Sequence, residues 1–293
     1  MKDAGGYRLK FILAGIVFAI LWASASAATK IALIAAQPFV IAVTRFFIAS
    51  LIMLLISHVI LKERLPRQME WKQLMIYGTF NISIYLGLYV IAMMNVSAGL
   101  GTLSVGTNPV IISIITAIWL KQKIKKNTIV SLLLCTAGIL IAAWPLLKSS
   151  YATPLGLILL LTSMLAYSAG AVYFSNNKWN GLHILVINGW QTLIGGILLL
   201  PLLFIFYDAN KNVYDVNSIG GMLWLAIPVS IGAVQLWLYL LKDDPVKASF
   251  WLFLCPIFGF AIAAIMLKEP ISIHTFIGVA LVILGLYIVQ KKE

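Results

Sequence analysis

Runs of about twenty apolar residues recur along the whole chain, separated by short charged or Pro- and Gly-containing breaks. That spacing limits the fold more than any other feature, because about 20 helical residues cross the hydrocarbon core of a bilayer. Cutting at charges, prolines and Asn/Gly clusters predicts ten spans: 11–32, 38–60, 74–94, 97–120, 127–146, 154–174, 183–206, 219–241, 246–267 and 271–290. Composition agrees. The 293 residues are 62% hydrophobic and 10% charged, whereas a soluble domain carries about 25% charged residues. The alternating short strands of a membrane β-barrel are absent, so the sequence predicts an all-α polytopic membrane protein.

Charge orients it. Ten crossings place both termini on one side. With that side cytoplasmic, sixteen Lys and Arg fall inside, from Lys2, Arg8 and Lys10 through Lys62, Arg64, Lys125 and Lys242 to Lys292. Only Lys30, Lys148, Lys211 and Lys268 fall outside, and Arg45 lies within the second span. The bias fits the positive-inside rule for the cytoplasmic membrane. It also removes nucleic acid as the reason for a net charge of +12. Cys135 and Cys255 fall inside apolar runs and read as buried thiols, with no disulfide or metal implied.

The chain repeats itself. Shifted by 147 residues, 109–142 aligns without a gap on 256–289, with eleven identities. These include Pro109/Pro256, Lys121/Lys268, Thr128/Thr275 and Gly138/Gly285. Each half, 1–147 and 148–293, then holds five spans. Five is odd, so the second half enters the membrane inverted, as in many secondary transporters. The repeat also bears on 21–30, LWASASAATK, whose basic flank and small residues mimic a secretory leader. LWASASA resembles LAYSAGA at 165–171. A leader has no reason to recur in mid-chain, so 21–30 reads as part of a retained first helix whose small residues admit close neighbours.

Several local signals recur in order through both halves. They are Trp22 and Lys30 in the first span, Thr44, Arg45 and Phe46 in the second, and Ser97, Ala98, Asn108 and Pro109 in the fourth. Lys247, Ala248 and Pro256 follow, then Leu267, Lys268, Glu269 and Pro270 before the last span. With these the whole chain resembles the EamA-type ten-helix permeases of the drug/metabolite transporter superfamily. The resemblance implies an exporter of amino acids or similar small metabolites working by alternating access. It also implies a cavity lined by spans one, three, four, six, eight and nine, with five and ten peripheral. The chain departs from the family at Gln122, where Glu is common; Glu269 keeps the carboxylate in the second half only.

The candidate cavity residues are Trp22, Ser26, Arg45, Asn81, Tyr85, Asn108, Tyr167, Gln191 and Gln235. A cation inside a span is costly and tends to be placed for a reason. Arg45 has two readings: a contact for a substrate carboxylate, or a structural pair with Glu269 or a backbone carbonyl. The amides can bridge helices or touch substrate. Trp22, Ser26 and Lys30 share one helix face, which suits a largely apolar solute with one polar end. Pro109 and Pro256 sit mid-span in equivalent positions and read as paired hinges. No cofactor, nucleotide-binding loop, metal set or catalytic constellation is evident. The expected partners are a small-molecule substrate and membrane lipid, with no nucleic acid.

Overall fold

The computed structural model describes residues 4–121, 123–148, 153–242, 244–269 and 271–290. Lys2, Gln122, Pro270, Lys291 and Lys292 lie outside them. Regular structure among the described residues is helical, in ten successive runs: α1 (Ala4–Leu33), α2 (Pro38–Ile60), α3 (Gln68–Ala92), α4 (Ala98–Trp119), α5 (Lys126–Lys148), α6 (Pro154–Asn176), α7 (Ile184–Phe206), α8 (Val216–Leu241), α9 (Pro245–Leu267) and α10 (Ile273–Gln290). Eight of these, α1–α4 and α6–α9, contain segments long and apolar enough to cross a bilayer. α5 and α10 are two further helices, packed mainly on each other.

Helix starts follow local chemistry. Prolines stand in the first turn of α2, α6 and α9, where a missing N–H costs nothing. Thr153, Asp215 and Asp244 accept backbone N–H groups at the starts of α6, α8 and α9. α3 begins six residues before its expected start. There Glu70 turns back to accept the Arg67 N–H at 2.7 Å and a forked pair of bonds from Arg64, a capping arrangement the apolar cut could not see.

The repeat is visible in the backbone. Lys121 and Lys268, identical in the aligned halves, both take left-handed φ values, 53° and 55°, just after α4 and α9. α4 is broken into Ala98–Val105 and Asn108–Trp119. α9 tightens at Phe250–Phe253 before continuing as Leu254–Leu267. α3 and α8 each contain a π-helical stretch, Thr79–Ile84 and Leu225–Ala233. The shift of 147 lays the first inside the second. Pro228 accounts for the stretch in α8, since proline cannot close the ordinary ladder; no such residue stands in α3.

α5 and α10 meet across the symmetry. The Cys135 thiol lies 3.6 Å from the carbonyl of Val282, its counterpart at the 147 shift. Gly138 and Gly285, also counterparts, both face this seam. A Cβ on Gly138 would stand 3.1 Å from the Leu281 Cβ, so only glycine lets the backbones approach this closely.

Loops gather at two ends. Arg64 donates to the Asn180 carbonyl, tying the 2–3 and 6–7 connections together at the basic end. At the opposite end Gln37 binds Asn212, Val213 binds Ala35 and Thr153 binds Asn95. Apolar side chains such as Ile118, Phe204 and Ile265 point outward, 74–80% exposed, as a lipid-facing band requires.

Candidate functional site

Aromatic rings form a ladder through the middle of the bundle. Phe18 (α1) stacks on Trp237 (α8) at 5.2 Å between centroids, and Trp237 stacks on Tyr167 (α6) at 5.7 Å. Tyr167 also meets Trp22 at 5.8 Å and Tyr85 (α3) at 4.8 Å. Tyr85 then meets Tyr89 at 6.0 Å. All six residues are buried. Such rings present a continuous apolar face, but two of their polar atoms, the Tyr167 hydroxyl and the Trp237 indole N–H, have no partner. Buried polar groups normally find one, so the phenol and the indole are two polar atoms of a closed stack left without a protein partner.

The ladder ends at a cation. Tyr89 shares a 2.6 Å hydrogen bond with Ser26 and lines a small cavity together with Thr29, Ala42, Arg45 and Leu225. Arg45 is only 6% exposed. Its Nε donates to the Ser230 hydroxyl at 2.7 Å, and its guanidinium lies 5.4 Å from the Phe46 ring. Arg45 is seven residues into α2, so it sits about 10 Å below that end of the bundle.

The expectation of an Arg45–Glu269 pair is not met. Glu269 instead caps α4, accepting the N–H groups of Ala98 at 2.9 Å and Gly99 at 3.0 Å. Lys30 donates to the Met93 carbonyl at 2.8 Å. The ion pairs among the described residues are Arg64–Glu70, Lys211–Asp208 and Lys247–Asp244, all at helix ends or in loops.

A second polar set runs beside the cavity. Asn81 donates to Gln191, and Gln191 to Asn188. Asn188 donates to the Ser230 carbonyl, and the Ser230 hydroxyl takes the Arg45 bond. This chain joins α3, α7, α8 and α2. Asn81 and Ser230 both belong to the π-helical stretches, which often accompany functional positions.

The sequence candidates therefore divide. Trp22, Tyr85 and Tyr167 meet in the ladder; Ser26 joins it through Tyr89, and Arg45 caps it. Asn81 and Gln191 bond to each other. Asn108 accepts from Ser168 and lies 3.2 Å from the Met164 sulfur, bridging α4 and α6. Gln235 is half-buried on α8, its amide nitrogen unpartnered. Pro109 opens the second piece of α4, and Pro256 follows the tight turn of α9. The first piece of α4, Ala98–Val105, packs on Leu254–Leu267, and the second, Asn108–Trp119, packs on Pro245–Ser249. The sequence reading missed Tyr89, Trp237 and Ser230 as candidates. Tyr89 was findable, lying one helical turn from Tyr85 on the same face. Trp237 and Ser230 carry no local signal, since a tryptophan and a serine are ordinary residues of a largely apolar helix.

Relatives agree in kind. The chain is 28% identical over 279 residues to an uncharacterized transporter of Archaeoglobus fulgidus, covering 93% of this chain and 95% of that one. It is 26% identical to Protein PecM of Dickeya dadantii, covering 92% and 89%. A crystal structure with 17% identity superposes with a TM-score of 0.76 over 96% of each chain, which supports the fold. The EamA-like transporter family matches residues 9–144 and 154–290, one match per repeat. Relatives in Archaeoglobus fulgidus and Bacillus subtilis are named as transporters. On that match, over both halves, the chain belongs to the EamA-like transporter family.

Proposed function

We propose that this membrane transporter is a ten-span permease of the cytoplasmic membrane with both termini in the cytoplasm. It exports amino acids or similarly sized metabolites by alternating access. The observation that carries this reading is the pair of broken helices. α4 and α9 are interrupted at equivalent points, pack on each other piece by piece, and flank the aromatic ladder. Paired interruptions in inverted repeats point to a transporter's central site. Rocking at Pro109 and Pro256 would open the two ends of the ladder in turn. The basic loops at one end orient it with that end inside.

The test is flux. Purified protein in proteoliposomes is offered a panel of radiolabelled amino acids and sugars. Movement of at least one solute class above empty vesicles is expected, slowed in Pro109→Ala more than binding is weakened. Uniform lack of movement across the panel would reject the reading, and unchanged rates in both Pro109→Ala and Pro256→Ala would reject the hinges.

A further inference from the structure

Four of the five N–H donors of Arg45 have no partner among the described residues. A guanidinium at this depth is costly without a counter-charge, and among the described residues every acidic side chain is committed elsewhere or lies at an end. Glu269 holds the start of α4, Glu70 holds Arg64, and Asp208, Asp215 and Asp244 sit in loops or helix caps. Glu63 lies in the 2–3 connection. The groups facing the cavity beside Arg45 are uncharged: Thr29, Tyr89 and aliphatic side chains.

We propose that the transported solute is an apolar or aromatic monoanion, its carboxylate on the open fork of Arg45 and its body along the ring ladder. The proposal rests on the permease reading above and narrows its solutes from amino acids to similarly sized metabolites without a free ammonium. Arg binds a carboxylate with two parallel N–H donors, and the ladder, closed here on its own rings, starts from Tyr89 on the cavity wall and would offer apolar ring faces to a body that parts it. A zwitterion would leave its ammonium with no carboxylate near the cavity.

The charge then sets the driving force. No carboxylate lies in the middle of any candidate span, so the chain has no acidic side chain there to carry a coupled proton. A monoanion crossing alone moves one negative charge. With the inside negative, that movement is favoured outward, and the equilibrium ratio changes tenfold per ~59 mV. The structure thus assigns an electrogenic efflux driven by membrane potential.

The experiment uses one aromatic body in three charge states: N-acetylphenylalanine (anion), phenylalanine (zwitterion) and phenylalaninamide (cation). Proteoliposomes carry each labelled probe under potassium diffusion potentials of either sign, set with valinomycin. Binding is followed separately by tryptophan quenching, since Trp22 and Trp237 lie in the ladder. The anion should bind and move at least tenfold better than the other two. Its distribution should shift about tenfold per ~59 mV toward the positive side. Arg45→Gln should remove that preference, while Ser230→Ala, which frees Nε but keeps the charge, should retain it. Preference for the zwitterion or cation, or an anion distribution indifferent to potential, would overturn the proposal and leave the permease reading standing. Movement of none of the three, with no solute moving in the broader panel, would overturn both. The wild-type charge series decides the matter even where Arg45→Gln fails to assemble.

Discussion

Glu269 is the sharpest place to perturb the molecule. It lies just after α9, in the second half, yet its two carboxylate oxygens accept the first N–H groups of α4, in the first half, at 2.9 and 3.0 Å. A hydrogen bond to a charged group contributes about 1.5–3 kcal/mol, and a carboxylate at a helix start adds about 0.3–1 kcal/mol. Glu269 is half-buried, so water replaces part of what is lost. Glu269→Ala should therefore cost about 2–4 kcal/mol. Glu269→Gln keeps one acceptor but loses the charge and should cost roughly half as much. At about 2–4 °C per kcal/mol for larger domains, the alanine variant should lose monodispersity about 4–16 °C earlier on heating in detergent. The same variant should loosen that end of the bundle. In a background lacking Cys135 and Cys255, a cysteine at Thr29, which lines the cavity beside Arg45, should react faster with an impermeant thiol reagent. Ser97→Ala is the control, because Ser97 caps the same helix through the Leu100 N–H without crossing between halves. If Glu269→Ala matches wild type in both measurements, or Ser97→Ala opens Thr29 equally, the bridge is not what holds this end.

Three further outcomes follow from the packing and caps. Asn188→Leu breaks the bond to the Ser230 carbonyl and strands the Gln191 amide, and should destabilise the fold by about 1–2 kcal/mol, as interhelical bonds in membranes do; a thermal shift below 1 °C would refute this. Gly138→Val drives a side chain into α10 beside Leu281 and should cost about 1–3 kcal/mol, whereas the same change at Gly220, which has open space around it, should not. The Ser218 N–H holds the Asp215 carboxylate below its usual range. A depressed folded value means the cap is fully present above the unfolded value near ~3.9 and is lost as pH falls through the lower folded one. Asp215→Asn should therefore flatten the acid end of the stability profile, and an unchanged profile would argue against the cap.

The sequence carried the helices and their pairing because lipid leaves few alternatives. A run of apolar residues between charges has to be a helix when nothing else can satisfy its backbone. Pro109, Pro256, Lys121 and Lys268 marked the repeat, and each sits at a backbone irregularity that recurs in both halves. The interior was harder to read. Inside a membrane protein a core residue and a lipid-facing one look alike in sequence, so nothing set Trp237, fully buried, apart from Trp224, which is 45% exposed. Arg45 stood out because a charge in a span is rare. Its neighbours did not, because Ser230 and Thr29 look like any small polar residue in a helix. The amides went the other way: Asn81, Asn108 and Gln191 drew attention as rare polar groups and are engaged in bonds between helices.

The two ends cannot be closed by the same chemistry, and the repeat shows why. The counterparts of Ala98 and Gly99 at the 147 shift are Pro245 and Val246. Proline has no N–H to offer. The Val246 N–H and the next, from Lys247, are already taken by Asp244 at 2.9 and 3.2 Å. A carboxylate at position 122 would thus find no open donors at the start of α9, and the chain has Gln122 there. Among the described residues the carboxylate bridge between halves lies at the end where Glu269 meets α4; at the basic end the halves are joined by Arg64 to the Asn180 carbonyl and Gln73 to Asn177. At the basic end the comparable carboxylate, Glu70, binds Arg64 and Arg67 of its own half. A conformational equilibrium shifts only by the interactions that differ between its two states. One end joins the halves through two N–H groups held by a carboxylate, the other through the Arg64 bond to the Asn180 carbonyl at 3.1 Å; on the proposed alternating-access reading, that difference favours closure at the Glu269 end. On the proposed export reading, a solute entering from the basic end and engaging Arg45 would leave only after Ala98 and Gly99 are released from Glu269.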